Sequence, residues 1–483
     1  MTDAAAPAFS GFASKNYRAY VLGVLVVIYT FNFIDRILIG IVGEKIKEDL
    51  NIGDLELGLL GGTFFALLYS LLGVPIARYA ERANRISIVA IGAALWSAMT
   101  VACGVAQNFA QLALARVGVG IGEAACVPPS HSLISDYFPA ERRASALAVF
   151  ALGVPIGSMM AAVGGGWLVQ NVDWRAAFWL LGAPGIALAV ALKLTVREPP
   201  RSGVAQQAPK FGEALKALAG KSSFWHAAFG GALVSFFGYS TAQFTVSFFV
   251  RVHGLEIAPA SYAFGAIAGI AVALGTFLGG FLGDRLSHRH PRVLAWLPAL
   301  GVALALPAYF LGYIQSDFTV ALVFFMFASV LHYLYLGPIF AVAQGVAEPR
   351  VRATASAIMV LILNLIGYGL GPATAGALSD MFANQALAPQ GLSAGACAQM
   401  IAEARGMPLP NSDYWGAFMS WIGGQPAPAP QRYAIPEGAD ISSCAAAGAS
   451  GLRQAMMVMA SALAWAAVHF VLAGRTLVRD RVG

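Results

Sequence analysis

Twelve long apolar runs divide this sequence, at about 18–43, 55–77, 86–107, 110–134, 143–168, 176–195, 224–249, 260–283, 293–314, 318–343, 354–378 and 452–474. A helix rises about 1.5 Å per residue, so each run can cross a hydrocarbon core of about 30 Å. Only 11% of the 483 residues are charged, and mean hydropathy is +0.69. Soluble domains carry about 25% charged residues, so a soluble enzyme, a disordered chain and a fibrous repeat are excluded. The runs are continuous rather than alternating, which excludes a membrane β-barrel. The expected class is an all-α membrane protein with twelve transmembrane helices. The first run follows a polar stretch, Ser14–Arg18, and is too long for a signal-peptide core, so no cleavable leader is expected.

Lys and Arg set the expected orientation. Of 30, 21 fall on one side, in the segments around Lys15, Arg78, Arg142, Arg201, Arg285, Arg350 and Arg479. Cytoplasmic loops carry such an excess, so both termini are expected in the cytoplasm. The net charge of +6 is then a property of those loops and not a nucleic-acid footprint.

The chain reads as two six-helix bundles, 18–196 and 223–475, with tails 1–17 and 476–483. Between the bundles lies a basic linker, 197–222, rich in Pro and Gly; its part from Phe211 to Ala219 reads equally as a surface-lying amphipathic helix or a frayed one. An internal repeat supports the division. Gly73 begins GVPIARYAER and Gly280 begins GFLGDRLSHR, 207 residues later (280 − 73). Arg143 begins RASA and Arg352 begins RATASA, 209 residues later (352 − 143). Parallel repeats of six helices are a transporter signature, with the substrate site at their interface. A polar outer loop is expected over 379–451, either irregular or a small lid. It contains Cys397 and Cys444, which an oxidising outer face can join; spacing alone equally allows two free thiols. Cys103 and Cys126 fall within spans as packing residues.

Ionisable groups in apolar spans are the strongest functional signal. A charge at mid-bilayer costs at least about 2.5–3.5 kcal/mol, and such residues mark pathways. Span 1 carries Asp35 and Arg36, span 4 carries Arg116 and Glu123, and span 10 carries His332. Arg116 and Glu123 are seven residues apart, which puts them on one helical face and about 10 Å apart along it, as if lining one cavity wall. Asp35 and Arg36 are adjacent and point about 100° apart, so one can face the cavity while the other faces a helix. Burial favours a neutral carboxyl and a nearby arginine a charged one, so Asp35 and Glu123 are the candidate proton carriers. The alternative is a permanent ion-pair network. Arg36 does not deprotonate and reads as an anion binder or a counter-ion. His332, Asn364, Tyr368 and Tyr239 are further candidate substrate contacts, with packing as the alternative for each.

Gly118, Gly120 and Gly122 run beside Glu123 and allow close helix approach. Gly153, Pro155 and Gly157 form a candidate hinge in span 5, since proline removes one helix hydrogen bond. Asp284, Arg285 and Arg289 follow span 8 and form a candidate gate with Arg78 and Arg82 after span 2. Ala77 stands at the position after span 2 that corresponds to Asp284, so that gate is asymmetric.

These residues resemble the signatures of the major facilitator superfamily: Gly280-x3-Asp284-Arg285-x3-Arg289, Arg116 with its glycines, and Gly153-x-Pro155-x-Gly157. A finer resemblance is to the spinster family of lipid transporters. It rests on Asn32-Phe-Ile-Asp35-Arg36, Arg116-Val-Gly-Val-Gly-Ile-Gly-Glu123-Ala, Ser135-Asp136-Tyr-Phe, Arg142-Arg143 and Val154-Pro155-Ile-Gly157-Ser. The resemblance implies a major facilitator fold and export of lysolipids or sphingosine phosphates. It also implies Asp35 and Glu123 as proton-responsive groups and Arg36 near the headgroup. The Ala- and Gly-rich composition suggests a bacterial member, in the inner membrane.

The expectation is a proton-coupled, monomeric secondary transporter of an amphiphile, working by alternating access. No cofactor, metal, nucleic-acid partner or catalytic residue is expected. The rivals are a small organic anion symporter, a multidrug exporter and a non-transporting membrane receptor.

Overall fold

The structure is a computed structural model that describes residues 14–200, 211–406, 409, 420 and 432–482. The first part of the N-terminal tail, linker residues 201–210 and the QPAPAP run lie outside the described residues. Among the described residues the elements are all helices, with no strand. Twelve are long and apolar enough to cross a membrane: Lys15–Leu50, Asp54–Ala80, Arg85–Cys103, Phe109–Tyr137, Ser145–Asn171, Trp174–Thr195, Ser222–His253, Ile257–Ser287, Val293–Ile314, Phe318–Val346, Thr354–Gln390 and Ile441–Asp480. They are spans 1 to 12 in chain order.

Polar residues set where several spans begin. Side chains of Asn84, Asn108 and Asp317 accept from Ser87 N, Gln111 N and Val320 N, each satisfying a first-turn donor. Spans 1 and 7 stop at Asn51 and Gly254, which take left-handed φ values of 50° and 68°. Lipid-facing surfaces stay apolar, with Trp167, Phe277 and Phe327 more than half exposed, because no water meets them in a bilayer.

Two buried clusters follow the repeat. One gathers Leu25, Trp96, Val119 and Phe178 from spans 1–6. The other gathers Phe237, Val302, Phe325 and Leu463 from spans 7–12. The repeat reappears in the backbone. Four spans carry a wide π-helical turn: Leu59–Thr63 in span 2, Ala161–Gly165 in span 5, Ile267–Ala271 in span 8 and Leu363–Tyr368 in span 11. Spans 2 and 8 correspond, as do 5 and 11. These turns interrupt the regular ladder and cluster at functional positions in helices.

The bundle has a linker end, where residues 197–200 and 211–222 lie, and an opposite loop end. At the loop end the helices reach further than the sequence suggests. Span 11 continues to Gln390 and span 12 begins at Ile441, so the expected loop over 379–451 is helical at both margins. A short helix, Ala394–Ala404, occupies part of the remainder. The segment ISSCAAAGASGLRQ is polar enough to read as loop, yet its alanines favour helix and Asp440 caps it through Ser442 N. Cys397 and Cys444 form a disulfide that ties the short helix to span 12. At the other end, span 12 runs through Asp480, past the boundary expected at 475. The helix Phe211–Ala219 is formed, with Ala214 and Leu218 buried against the second cluster.

Candidate functional site

Span 1 delivers Tyr29, Phe33 and Arg36 to one face, at spacings of four and three residues. Span 4 delivers Glu123 at the end of its first helical segment, Phe109–Glu123, just before the segment Val127–Tyr137. Arg36 Nε donates to Glu123 Oε2 at 2.6 Å, with side-chain exposures of 8% and 0%. The guanidinium lies over Tyr69 (4.5 Å to the ring centroid), Phe33 (5.1 Å) and Phe65 (5.1 Å). A desolvated cation gains from such rings, so the collar replaces part of the lost hydration.

The collar continues across the two halves. The Phe65 ring of span 2 meets Tyr368 of span 11 at 5.1 Å, and Tyr368 stacks on Tyr239 of span 7 at 4.3 Å. The Tyr239 hydroxyl donates to Asn364 Oδ1 at 3.5 Å. The π-helical turn Leu363–Tyr368 holds both Asn364 and Tyr368, and Tyr368 is buried while Asn364 is half-buried. Gln243, about one turn beyond Tyr239, donates from Nε2 to Leu57 O of span 2 at 3.5 Å.

Arg116 and Asp35 lie behind this seam. Arg116 and Glu123, expected on one helical face, take different partners. Arg116 is fully buried and donates to Leu60 O at 3.2 Å and to Asp35 O at 3.4 Å, tying spans 1, 2 and 4 together. A guanidinium that must satisfy its donors turns to backbone carbonyls when no carboxylate is in reach, and the glycines around it leave those carbonyls accessible. Gly120 shows how close: a Cβ there would sit 2.5 Å from Phe65 O. Asp35 is 1% exposed and points into the first half, which matches the expected divergence from Arg36. Several polar atoms converge here without a protein partner: both amide atoms of Asn32, Asp35 Oδ1, Glu123 Oε1, Arg36 Nη2 and Arg116 Nη2. Nearly all buried polar groups are hydrogen-bonded, so this cluster stands apart from the rest of the core.

His332 is not brought to the seam. It is 1% exposed and packs among Phe237, Tyr309, Tyr333 and Tyr335, with Nδ1 3.4 Å from the Tyr309 hydroxyl. Gly153 and Gly157 allow close approach of span 5 to span 1: a Cβ at Gly157 would lie 2.4 Å from Thr30 O. Pro155 is half-buried beside them, one turn after the break between the helices Ala140–Ala151 and Gly153–Met160. Asp284, Arg285, Arg289, Arg78 and Arg82 are all exposed at the linker end, and none has an ion-pair partner among the described residues.

Two charged groups escaped the sequence reading. Inside the first half, Arg85 binds Asp136 at 2.5 Å and Glu198 at 2.6 Å. Between the halves, Arg251 of span 7 binds Glu44 at 2.6 Å and Asp54 at 2.7 Å, while Lys47 also pairs with Asp54. Ser379 Oγ donates to Asp54 Oδ2 at 2.6 Å and Arg405 reaches Glu48 at 3.4 Å. These inter-half ties all lie at the loop end.

Residues 25–372 match the profile of the Major Facilitator Superfamily. The chain belongs to that superfamily. Within it the relatives are spinster-like. A bacterial homolog to the human lysosomal transporter Spinster, solved in an inward-facing and unoccupied conformation, is 37% identical with a TM-score of 0.82, over 97% of this chain and 99% of that one. An MFS-type efflux pump of Mycolicibacterium smegmatis (strain ATCC 700084 / mc(2)155) is 35% identical over 366 residues, 74% of this chain and 84% of that one. Protein spinster homolog 1 of Homo sapiens is 28% identical over 391 residues, 76% of this chain and 74% of that one. This spinster-like chain is therefore a multi-pass membrane transporter and not an enzyme, built on the twelve-helix, two-bundle fold expected from its apolar runs.

Proposed function

We propose that this spinster-like chain is a proton-coupled secondary transporter of an amphiphile with an anionic headgroup. The observation that carries the reading is the Arg36–Glu123 pair, set in an aromatic collar where the two halves meet. Glu123 and an anionic headgroup compete for one guanidinium. Protonating Glu123 removes its charge and releases Arg36, whose charge is permanent. Proton and headgroup then load together. Losing the proton restores the pair and expels the headgroup. The rings of Phe65, Tyr69, Tyr239 and Tyr368 give the tail an apolar wall, and Asp35 forms a second proton-accepting position behind the pair.

The excess of Lys and Arg at the linker end supports a cytoplasmic linker and cytoplasmic termini, in a bacterial inner membrane. The loop end is tied shut across the halves, while the gate charges Asp284, Arg285, Arg289, Arg78 and Arg82 have no ion-pair partner among the described residues, which supports an inward-facing state, like that of the solved homolog. The protein acts as a monomer, because two halves suffice to build one seam. A second reading is export of varied hydrophobic compounds, favoured by the relative named an efflux pump.

The test is flux of labelled lysophospholipid or sphingosine phosphate into liposomes under an imposed pH gradient, with Glu123→Gln and Asp35→Asn alongside. Gradient-driven flux in the native chain and its loss in Glu123→Gln is the expected result. Flux indifferent to both the gradient and the substitutions overturns the coupling. Gradient-driven flux of lipophilic dyes without lipid flux moves the assignment to the second reading.

A further inference from the structure

The first N–H groups of any helix lack acceptors within that helix. At the loop end, two spans find acceptors on the opposite half. Span 2 begins at Asp54, and the N–H groups of Asp54 and Leu55 donate to Asp380 Oδ1 (3.1 Å) and Oδ2 (2.8 Å) of span 11. Span 8 begins at Ile257, and the N–H of Ala258 donates to Gln170 Oε1 of span 5 at 2.8 Å. Gln170 Nε2 also donates to Glu256 Oε2 at 2.5 Å, just ahead of that span.

The two caps are the same device used twice. Ala258 lies 204 residues after Asp54 (258 − 54), and Asp380 lies 210 residues after Gln170 (380 − 170). Both offsets lie within a few residues of the 207 and 209 of the internal repeat. One half caps the other, and the favour is returned across the pseudo-two-fold axis. A cap supplied by a helix's own residues survives any rigid movement of the halves, whereas these survive only while the loop end is closed. Asp380 is the stronger of the two. It is charged, half-buried and set against the positive end of a helix, with Ser379 beside it holding Asp54. Gln170 is neutral and exposed.

We infer that Asp380 and Gln170 form a paired latch that holds the loop end shut through the helix starts of spans 2 and 8. The inference rests on the alternating-access reading above. Each cap favours the closed end, and losing both frees three backbone donors to water at the cost of closure alone, with the fold of either half untouched.

Spin labels on Gln107→Cys and Ser316→Cys, exposed in loop-end turns of the two halves, report opening there. Labels on Glu81→Cys and His288→Cys report the linker end. Asp380→Ala raises the open-to-closed ratio at the loop end about fivefold and Gln170→Ala about twofold, with Asp380→Asn between native and Asp380→Ala. The double variant exceeds either, and the linker-end pair shortens in step. Arg251→Ala separates the possible failures. If it opens the loop end while the double cap variant does not, ion pairs alone hold the closure and the latch is overturned, with alternating access intact. If none of these variants lengthens the loop-end pair, this end does not open and both readings fall.

Discussion

The two halves share a backbone and divide the chemistry. Around Arg36, at the seam and just behind it, spans 1–6 contribute the charged groups: Asp35, Arg36, Arg116 and Glu123. Spans 7–12 face them with Tyr239, Asn364 and Tyr368, and keep their buried histidine, His332, within their own aromatic core. One repeat holds charge in place and the other presents rings. A duplicated fold can thus keep symmetry for movement, in its four π-helical turns and reciprocal caps, while abandoning it for binding. Charges concentrated in one half need only one preorganised network. Charges split between halves would be separated and desolvated anew in each cycle.

The sharpest way to break that division is Arg36→Ala. It leaves Glu123 buried without its ion-pair partner, a loss of about 3–5 kcal/mol for a broken buried pair. Liposome flux should vanish, and thermal unfolding of the purified variant should fall by several degrees; retained gradient-driven flux would remove Arg36 from the mechanism. Tyr239→Ala should act next, by deleting a ring that stacks on Tyr368. Aromatic pairs contribute about 0.5–1.5 kcal/mol, so amphiphile affinity measured by tryptophan quenching should weaken about fivefold with proton dependence kept. The smallest effect is expected from His332→Phe. Tyr309 keeps its Ser329 partner at 3.1 Å, so stability should drop by about 1 kcal/mol and the pH profile of flux should not move. A flattened profile in that variant would make the second half a proton carrier as well and erase the contrast.

Much of this was legible in the sequence, for reasons that lipid imposes. Spans can be counted because hydrocarbon tolerates only long apolar helices there, and Asp35, Arg36, Arg116 and Glu123 stand out because charge inside them is costly. The aromatic collar was not legible: Phe33, Phe65 and Tyr69 are ordinary residues of apolar spans until a guanidinium is placed against them, although the spacing of Tyr29, Phe33 and Arg36 was a usable sign. Glu44, Lys47, Asp54 and Arg251 escaped because charges near helix ends are commonplace. The role of Arg116 depended on rotation about its span, which a seven-residue spacing does not specify. Cys397 and Cys444 required proximity that only folding supplies.

Helix length also supplies a ruler. Span 1 has 36 residues, so it is about 54 Å long, against about 30 Å of hydrocarbon. Arg36 sits about 21 Å from its Leu50 end, with Glu44 and Lys47 on the stretch between. More than 20 Å of this helix must therefore stand in headgroups or water, and the loop-end ion pairs belong to that wetted part. Salt screens exposed charges and leaves buried ones nearly alone, so of the inter-half ion pairs among the described residues only Arg405–Glu48 is open to it, while Arg251, Glu44 and Asp54 are sheltered almost as well as Arg36. The salinity of the medium thus touches the rim of this gate and spares both its core and the carrier's centre.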